Sequence, residues 1–141
     1  MVVFLDGAPQ SKLYRRFKIK HEQGNNDYLS MQEVLKRRLA RLNSADPSFG
    51  ERPDLIVIDG GKGQLSAAVE VLKELSLNIP VVAIAKENEE IFIPNQRQPI
   101  VLPKRSYALR LVQRIRDEAH RFATGYHKTL RANRKIKQSG K

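Results

Sequence analysis

The sequence has no cysteine and no tryptophan among its 141 residues. Without thiols, nucleophilic Cys catalysis, zinc fingers and iron–sulfur clusters are all excluded. Long hydrophobic runs are also missing: no apolar stretch approaches the roughly 18 residues of a membrane-spanning helix. Met1 to Asp6 is too short and too soon acidic for a signal peptide. These absences predict a cytoplasmic protein with no membrane partner. With 40% hydrophobic and 29% charged residues, the chain fits one globular domain, able to bury roughly two thirds of its unfolded surface without disulfides or a structural metal.

What is abundant is positive charge, and it is unevenly placed. The formal net charge is +11, and residues 104–141 hold twelve Lys or Arg against only Asp117 and Glu118. Such a block attracts polyanions through counterion release, so nucleic acid is the first partner to consider and an anionic membrane the second. The alternative reading of the charge is a solvated helix with a disordered basic tail.

Along the chain, Met1–Leu5 and Leu13–Lys20 read as two strands joined through the turn Asp6-Gly7-Ala8-Pro9. Tyr28, Met31, Leu35, Leu39 and Leu42 step by three or four residues, which predicts an amphipathic helix. Leu55 to Ile58 suits a strand buried on both faces. A helix from about Gly63 to Leu75 and a second buried strand at Val81–Ala85 complete a parallel crossover. Ile91–Ile93 and Ile100–Leu102 read as an edge hairpin, and a long helix follows from Ser106 to Thr124, kinked or ended by Gly125. The fold class is α/β with a mixed sheet, with a domain over 1–126 and a basic helix or linker over 127–141.

Asp59 closes the first buried strand of the crossover, where open α/β sheets place their ligands. A hard carboxylate there suits Mg or Mn, and a turn or helix-cap role suits it too. Gly60, Gly61 and Gly63 serve either a tight strand-to-helix turn or an anion contact, with Lys62 adding a charge for phosphate. The nucleotide-binding patterns GxxxxGK[ST] and GxGxxG are absent. His120, three residues after Asp117, is either a metal ligand or water-activating base, or a solvent-facing imidazole beside a surface Asp. Arg110, Arg114, Arg116 and Arg121 surround it and suit phosphate. Asp27 reads as a helix cap or a catalytic carboxylate. Tyr14, Tyr28 and Phe17 read as core.

Taken together, Tyr14-Arg15-Arg16-Phe17, Asp27-Tyr28, Ile58-Asp59-Gly60-Gly61-Lys62-Gly63-Gln64-Leu65 and Gln113-Arg114-Ile115-Arg116-Asp117-Glu118-Ala119-His120-Arg121-Phe122-Ala123 resemble the UvrC family, the incision subunits of bacterial nucleotide excision repair. The resemblance runs from Met1 to about Arg134. It implies an RNase H-like endonuclease domain that hydrolyses a phosphodiester of damaged double-stranded DNA on the 5′ side of the lesion, with Mg or Mn as cofactor and a UvrB–DNA complex as partner. The family's DGGKGQ Asp falls on Asp59, its RDExH His on His120, and its GDDY segment on Asn26-Asp27-Tyr28, with Asp27 the subordinate candidate. A further catalytic Asp of the family lies upstream of the segment that matches Met1, and this chain has no residue for it. The expectation is a sheet without the family's first central strand, an incomplete metal shell, poor cleavage by this chain, and self-association through exposed sheet edges. The alternative function is a catalytically incomplete DNA-binding fragment of the same fold.

Overall fold

The computed structural model describes residues 1–16, 27–42, 52–86 and 89–139. The chain divides into two compact units, one of Phe17–Pro103 and one of Met1–Arg16 with Lys104–Lys141.

The first of these units holds α1 (Asp27–Leu39), β3 (Ile56–Asp59), α2 (Lys62–Glu74), β4 (Val81–Ile84) and β5 (Ile91–Phe92). β3 and β4 are parallel, with Ile56 opposite Val81 and Asp59 opposite Ile84, and β5 adds antiparallel to β4. This is the expected mixed sheet, built around the expected strand–helix–strand crossover. The reason lies in the pattern: Leu65, Ala68, Val71 and Leu72 recur at helical spacing and are buried, as are Ile58, Val81, Ala83 and Phe92 from the strands. Val71 is fully buried, which contributes roughly 1.5–3 kcal/mol relative to exposure.

α1 adds Leu35 and Leu39 to this core, with Met31 and Leu42 packed against it. Polar links fix α1 on α2. Gln32 Nε2 donates to the Ala67 carbonyl at 2.9 Å and to the Glu70 carboxylate at 3.2 Å, and Lys36 pairs with Glu74 at 3.1 Å. α2 ends in a Schellman motif. The Leu77 N–H donates to the Leu72 carbonyl at 2.9 Å and the Ser76 N–H to that of Lys73 at 3.1 Å, with Ser76 at φ +54°.

Three expectations are corrected here. Leu55 is 50% exposed and precedes the strand, so the apolar run is not buried on both faces along its length. Tyr28 is exposed rather than core: its ring lies over Gly63 at the start of α2, outside the cluster that Met31, Leu35 and Leu39 join. The second arm of the edge hairpin reduces to one bridge between Ile91 and Ile100, and Val101 is exposed.

In the other unit, β1 (Phe4–Leu5) pairs antiparallel with β2 (Ala8–Pro9), leaving Asp6 and Gly7 as a two-residue turn with φ +52° and +81°. Asp-Gly is a favoured pair for such a primed turn, because both positions need φ > 0. The hairpin is therefore tighter than expected. Leu13 belongs to a 3₁₀ turn, Ser11–Leu13, rather than to the returning strand. The Arg15 N–H still reaches the Met1 carbonyl at 3.2 Å. Phe17 to Lys20 lie outside the described residues.

α3 (Tyr107–Ser139) is capped by Ser106, whose hydroxyl oxygen accepts the Leu109 N–H at 3.2 Å. It does not end at Gly125: the helix continues through that residue, and so spans the boundary expected at 126. One glycine costs a helix only about 1 kcal/mol, too little by itself to end one. Tyr14, buried, meets Phe122 edge-on with ring centroids 5.2 Å apart, and the Arg16 guanidinium lies 4.3 Å from the same ring.

Candidate functional site

Asp59 is the last residue of β3 and its side chain is exposed. The sheet carries it there: the β3–β4 ladder continues one residue beyond it, with the Gly60 N–H donating to the Ile84 carbonyl at 3.0 Å. The carboxylate thus stands at the carboxyl end of a parallel pair, on a backbone pinned on either side of the turn.

The turn into α2 is held by Gln64. Its side-chain oxygen accepts the Gly61 N–H at 3.0 Å, satisfying a donor that helix formation leaves over. In folding back, the same side chain lies over Gly60. A Cβ at Gly60 would meet Gln64 Cδ at 2.6 Å and Cγ at 2.8 Å, so the position has room only for glycine while Gln64 caps. The amides of Gly60 and Gly61 are therefore used inside the protein, which favours the tight-turn reading of these glycines over an anion cradle.

Lys62 is exposed, its ammonium donates to the Arg97 carbonyl at 2.6 Å, and it lies 5.5 Å from the Phe92 ring centre. It ties the start of α2 to the segment after β5. Lys62 and Phe92 also line a cleft of about 370 Å³ with Leu65, Val69 and Pro94.

The other predicted residues lie on α3. His120, Asp117, Arg110 and Arg114 are exposed, and Arg116 is half-buried. Arg121 is engaged by Glu118 in an ion pair one helical turn away. Val112, Ile115, Ala119 and Phe122, which share one side of the helix at 100° per residue, are all half-buried, and on this helix Leu109 is the buried residue among those described. Asp27 is the first residue of α1. Asp59 falls in one unit and His120 in the other.

Among the described residues, no three His, Asp or Glu side chains gather to hold a metal ion. What the β3 terminus offers an ion is the single carboxylate of Asp59, and that is not a complete protein shell. Among the described residues, no helix is long and apolar enough to cross a membrane.

Two residues play parts that the sequence did not assign to them. Gln64 was legible in principle, since Gln three residues after a cap position is the capping-box signature. Tyr28, read from its period as core, instead lays its phenol ring over Gly63 at the start of α2, a contact between residues 35 positions apart that no local pattern signals.

The family model described as the UvrC RNase H endonuclease domain matches residues 1–124. The chain is 50% identical over 139 residues to the UvrABC system protein C of Syntrophomonas wolfei subsp. wolfei, a match covering 99% of the chain and 23% of that relative. Its identity to the protein of the same name from Chlorobium phaeobacteroides is 52% over 136 residues, 96% of the chain and 21% of that relative. For the Methanospirillum hungatei protein the identity is 51% over 131 residues, 93% of the chain and 25% of the relative. The chain thus spans a quarter or less of the length of these relatives.

Proposed function

This chain belongs to the UvrC RNase H endonuclease domain family, and from that membership we propose that it is the phosphodiester-cleaving domain of a nucleotide excision repair protein. The substrate is damaged double-stranded DNA, cut on the 5′ side of the lesion, and the setting is the cytoplasm of a prokaryotic cell with a UvrB–DNA complex as partner. The observation that carries this reading is the family match over residues 1–124, which includes the IDGGKGQL and RDEAHRFA strings.

The geometry supports distinct roles. Asp59, exposed on a rigidly pinned turn, is the carboxylate offered to the reaction. Mg or Mn is the proposed cofactor, since hard oxygen ligands suit both ions and such shells are commonly filled out by phosphate and water. His120, exposed on α3, binds metal or handles a proton of water, with Asp27 a third catalytic candidate. Lys62, Arg110, Arg114, Arg116 and Arg121 hold DNA phosphate. β3 pairs with β4 alone among the described residues, so its other edge is proposed to take a further strand, from a longer polypeptide or from a second copy.

The test is nicking of a duplex bearing one bulky adduct, with Mn, by this chain and by its Asp59→Ala and His120→Ala variants. Metal-dependent nicking that falls by at least about 100-fold in both variants, the scale of losing a group essential to the chemistry, supports the reading. Tight binding of the duplex with no nicking by the parent would show a DNA-binding fragment instead.

A further inference from the structure

Tyr107 is the most exposed large hydrophobic residue among those described, at 86%. It is the first residue of α3, immediately after the Ser106 cap, so its position is fixed by the helix start although its ring stands in solvent. A lone exposed aromatic needs no explanation. The surroundings of this one are unusual.

At 100° per residue, Arg110 and Arg114 fall on the same stripe of α3 as Tyr107, three and seven positions on. Both are exposed, as are Lys104 and Arg105 just before the cap. The Arg110 guanidinium lies 6.0 Å from the Tyr107 ring centre. No Asp or Glu occurs between Ile91 and Arg116. An aromatic face is thus presented among four exposed cations, two of which follow it along the helix within about 10 Å, with Asp117, three positions beyond Arg114, the first acid along α3.

We propose that the first two turns of α3 bind single-stranded nucleic acid, with one unpaired base stacked on the Tyr107 ring and flanking phosphates held by Lys104, Arg105, Arg110 and Arg114. Stacking on aromatic rings within a basic track is how strands without partners are held, because every base has a π-face and the phosphates supply the attraction. Inside a duplex both faces of every base are already stacked and only the terminal pairs have a free one, so the ring favours strand over duplex while the cations do not. The inference deepens the nuclease reading and rests on its assignment of DNA as substrate, naming an unpaired segment as the part α3 holds.

The experiment is fluorescence anisotropy of the full chain with a labelled 15-mer of oligo-dT and, separately, a blunt 15-base-pair duplex. Tyr107→Ala is expected to weaken oligo-dT binding about 5- to 150-fold, the effect of losing one base–aromatic stack. Tyr107→Phe keeps the ring and is expected to stay within about twofold of the parent, as is duplex binding by Tyr107→Ala. Unchanged oligo-dT affinity in Tyr107→Ala, or an equal loss on strand and duplex, overturns the proposal. So does partition onto anionic phosphatidylserine vesicles without oligo-dT binding. Nicking of the adduct duplex with no Tyr107 dependence of strand binding removes this inference and leaves the nuclease reading. Tyr107-dependent strand binding without nicking does the reverse.

Discussion

The Tyr28 phenol lies over Gly63, with its hydroxyl and Cζ filling the space that a Cβ on Gly63 would need. The contact joins the first turn of α1 to the first turn of α2, a few residues after Asp59. It explains why a residue of poor helix propensity stands inside a helix start.

The first prediction reverses sign with background. Gly63→Ala alone is expected to destabilise the protein by about 1 kcal/mol, because the methyl group displaces the Tyr28 ring. In a Tyr28→Ala background the same substitution is expected to stabilise by about 0.5–1 kcal/mol, the ordinary helix preference for Ala over Gly. Urea unfolding of the four proteins checks this. Additive effects would mean that the two residues do not meet.

Gln64→Ala leaves the Gly61 N–H without its acceptor. A loss of about 1 kcal/mol in stability is expected, the usual worth of a capping bond. Because the same side chain packs over Gly60 beside Asp59, hydrogen exchange at Gly60 and Gly61 should speed up more than at buried Val71. Uniform exchange changes would show that Gln64 does not hold the turn.

Ser76 ends α2 with φ +54°, a conformation that strains any residue bearing a Cβ and suits glycine. Ser76→Gly is expected to raise stability by about 0.5–1 kcal/mol, as the relieved strain exceeds the added chain entropy of Gly. Thermal unfolding of the pair gives the answer, and a fall in Tm would contradict the left-handed cap.

Tyr14 is buried, and its hydroxyl lies near the Glu118 carboxylate without closing a hydrogen bond. Burial first, and the Glu118 charge second, raise its pKa above the ordinary value of 10.0. The folded state therefore holds the phenolic proton more tightly than the unfolded chain. That contribution to stability is fully present below pH 10.0 and is lost as the pH rises through the folded-state value. Tyr14→Phe should abolish this part of the alkaline decline while shifting stability at pH 7 by less than about 1 kcal/mol. Parallel alkaline unfolding curves for the two proteins would refute it.

Much of the fold was legible because its signals are local. The apolar period of α2, the apolar runs at Ile56–Ile58 and Val81–Ile84, and the Asp-Gly turn each specify a backbone conformation through nearest neighbours. Helix ends were less legible where they depend on context: Gly125 reads as a kink or a stop, yet α3 runs on through it. The same holds for Tyr28, which periodicity places in a core that tertiary packing builds from Met31 onward.

For the candidate site, the sequence by itself determined the residue types. Asp59 ends a strand and His120 sits on a helix, and the strings around them mark the family. Only the tertiary structure decided what those neighbours do. The Gly60 and Gly61 amides are spent on Ile84 and Gln64, Lys62 is held by Arg97, and Arg121 is paired with Glu118. Tyr107 is left in solvent among exposed basic side chains, an exposure that the linear pattern does not rank. The physical reason is that propensity and hydrophobic period act over a few residues, whereas hydrogen-bond partners and exposure are set by whichever groups the folded chain brings within about 3–4 Å.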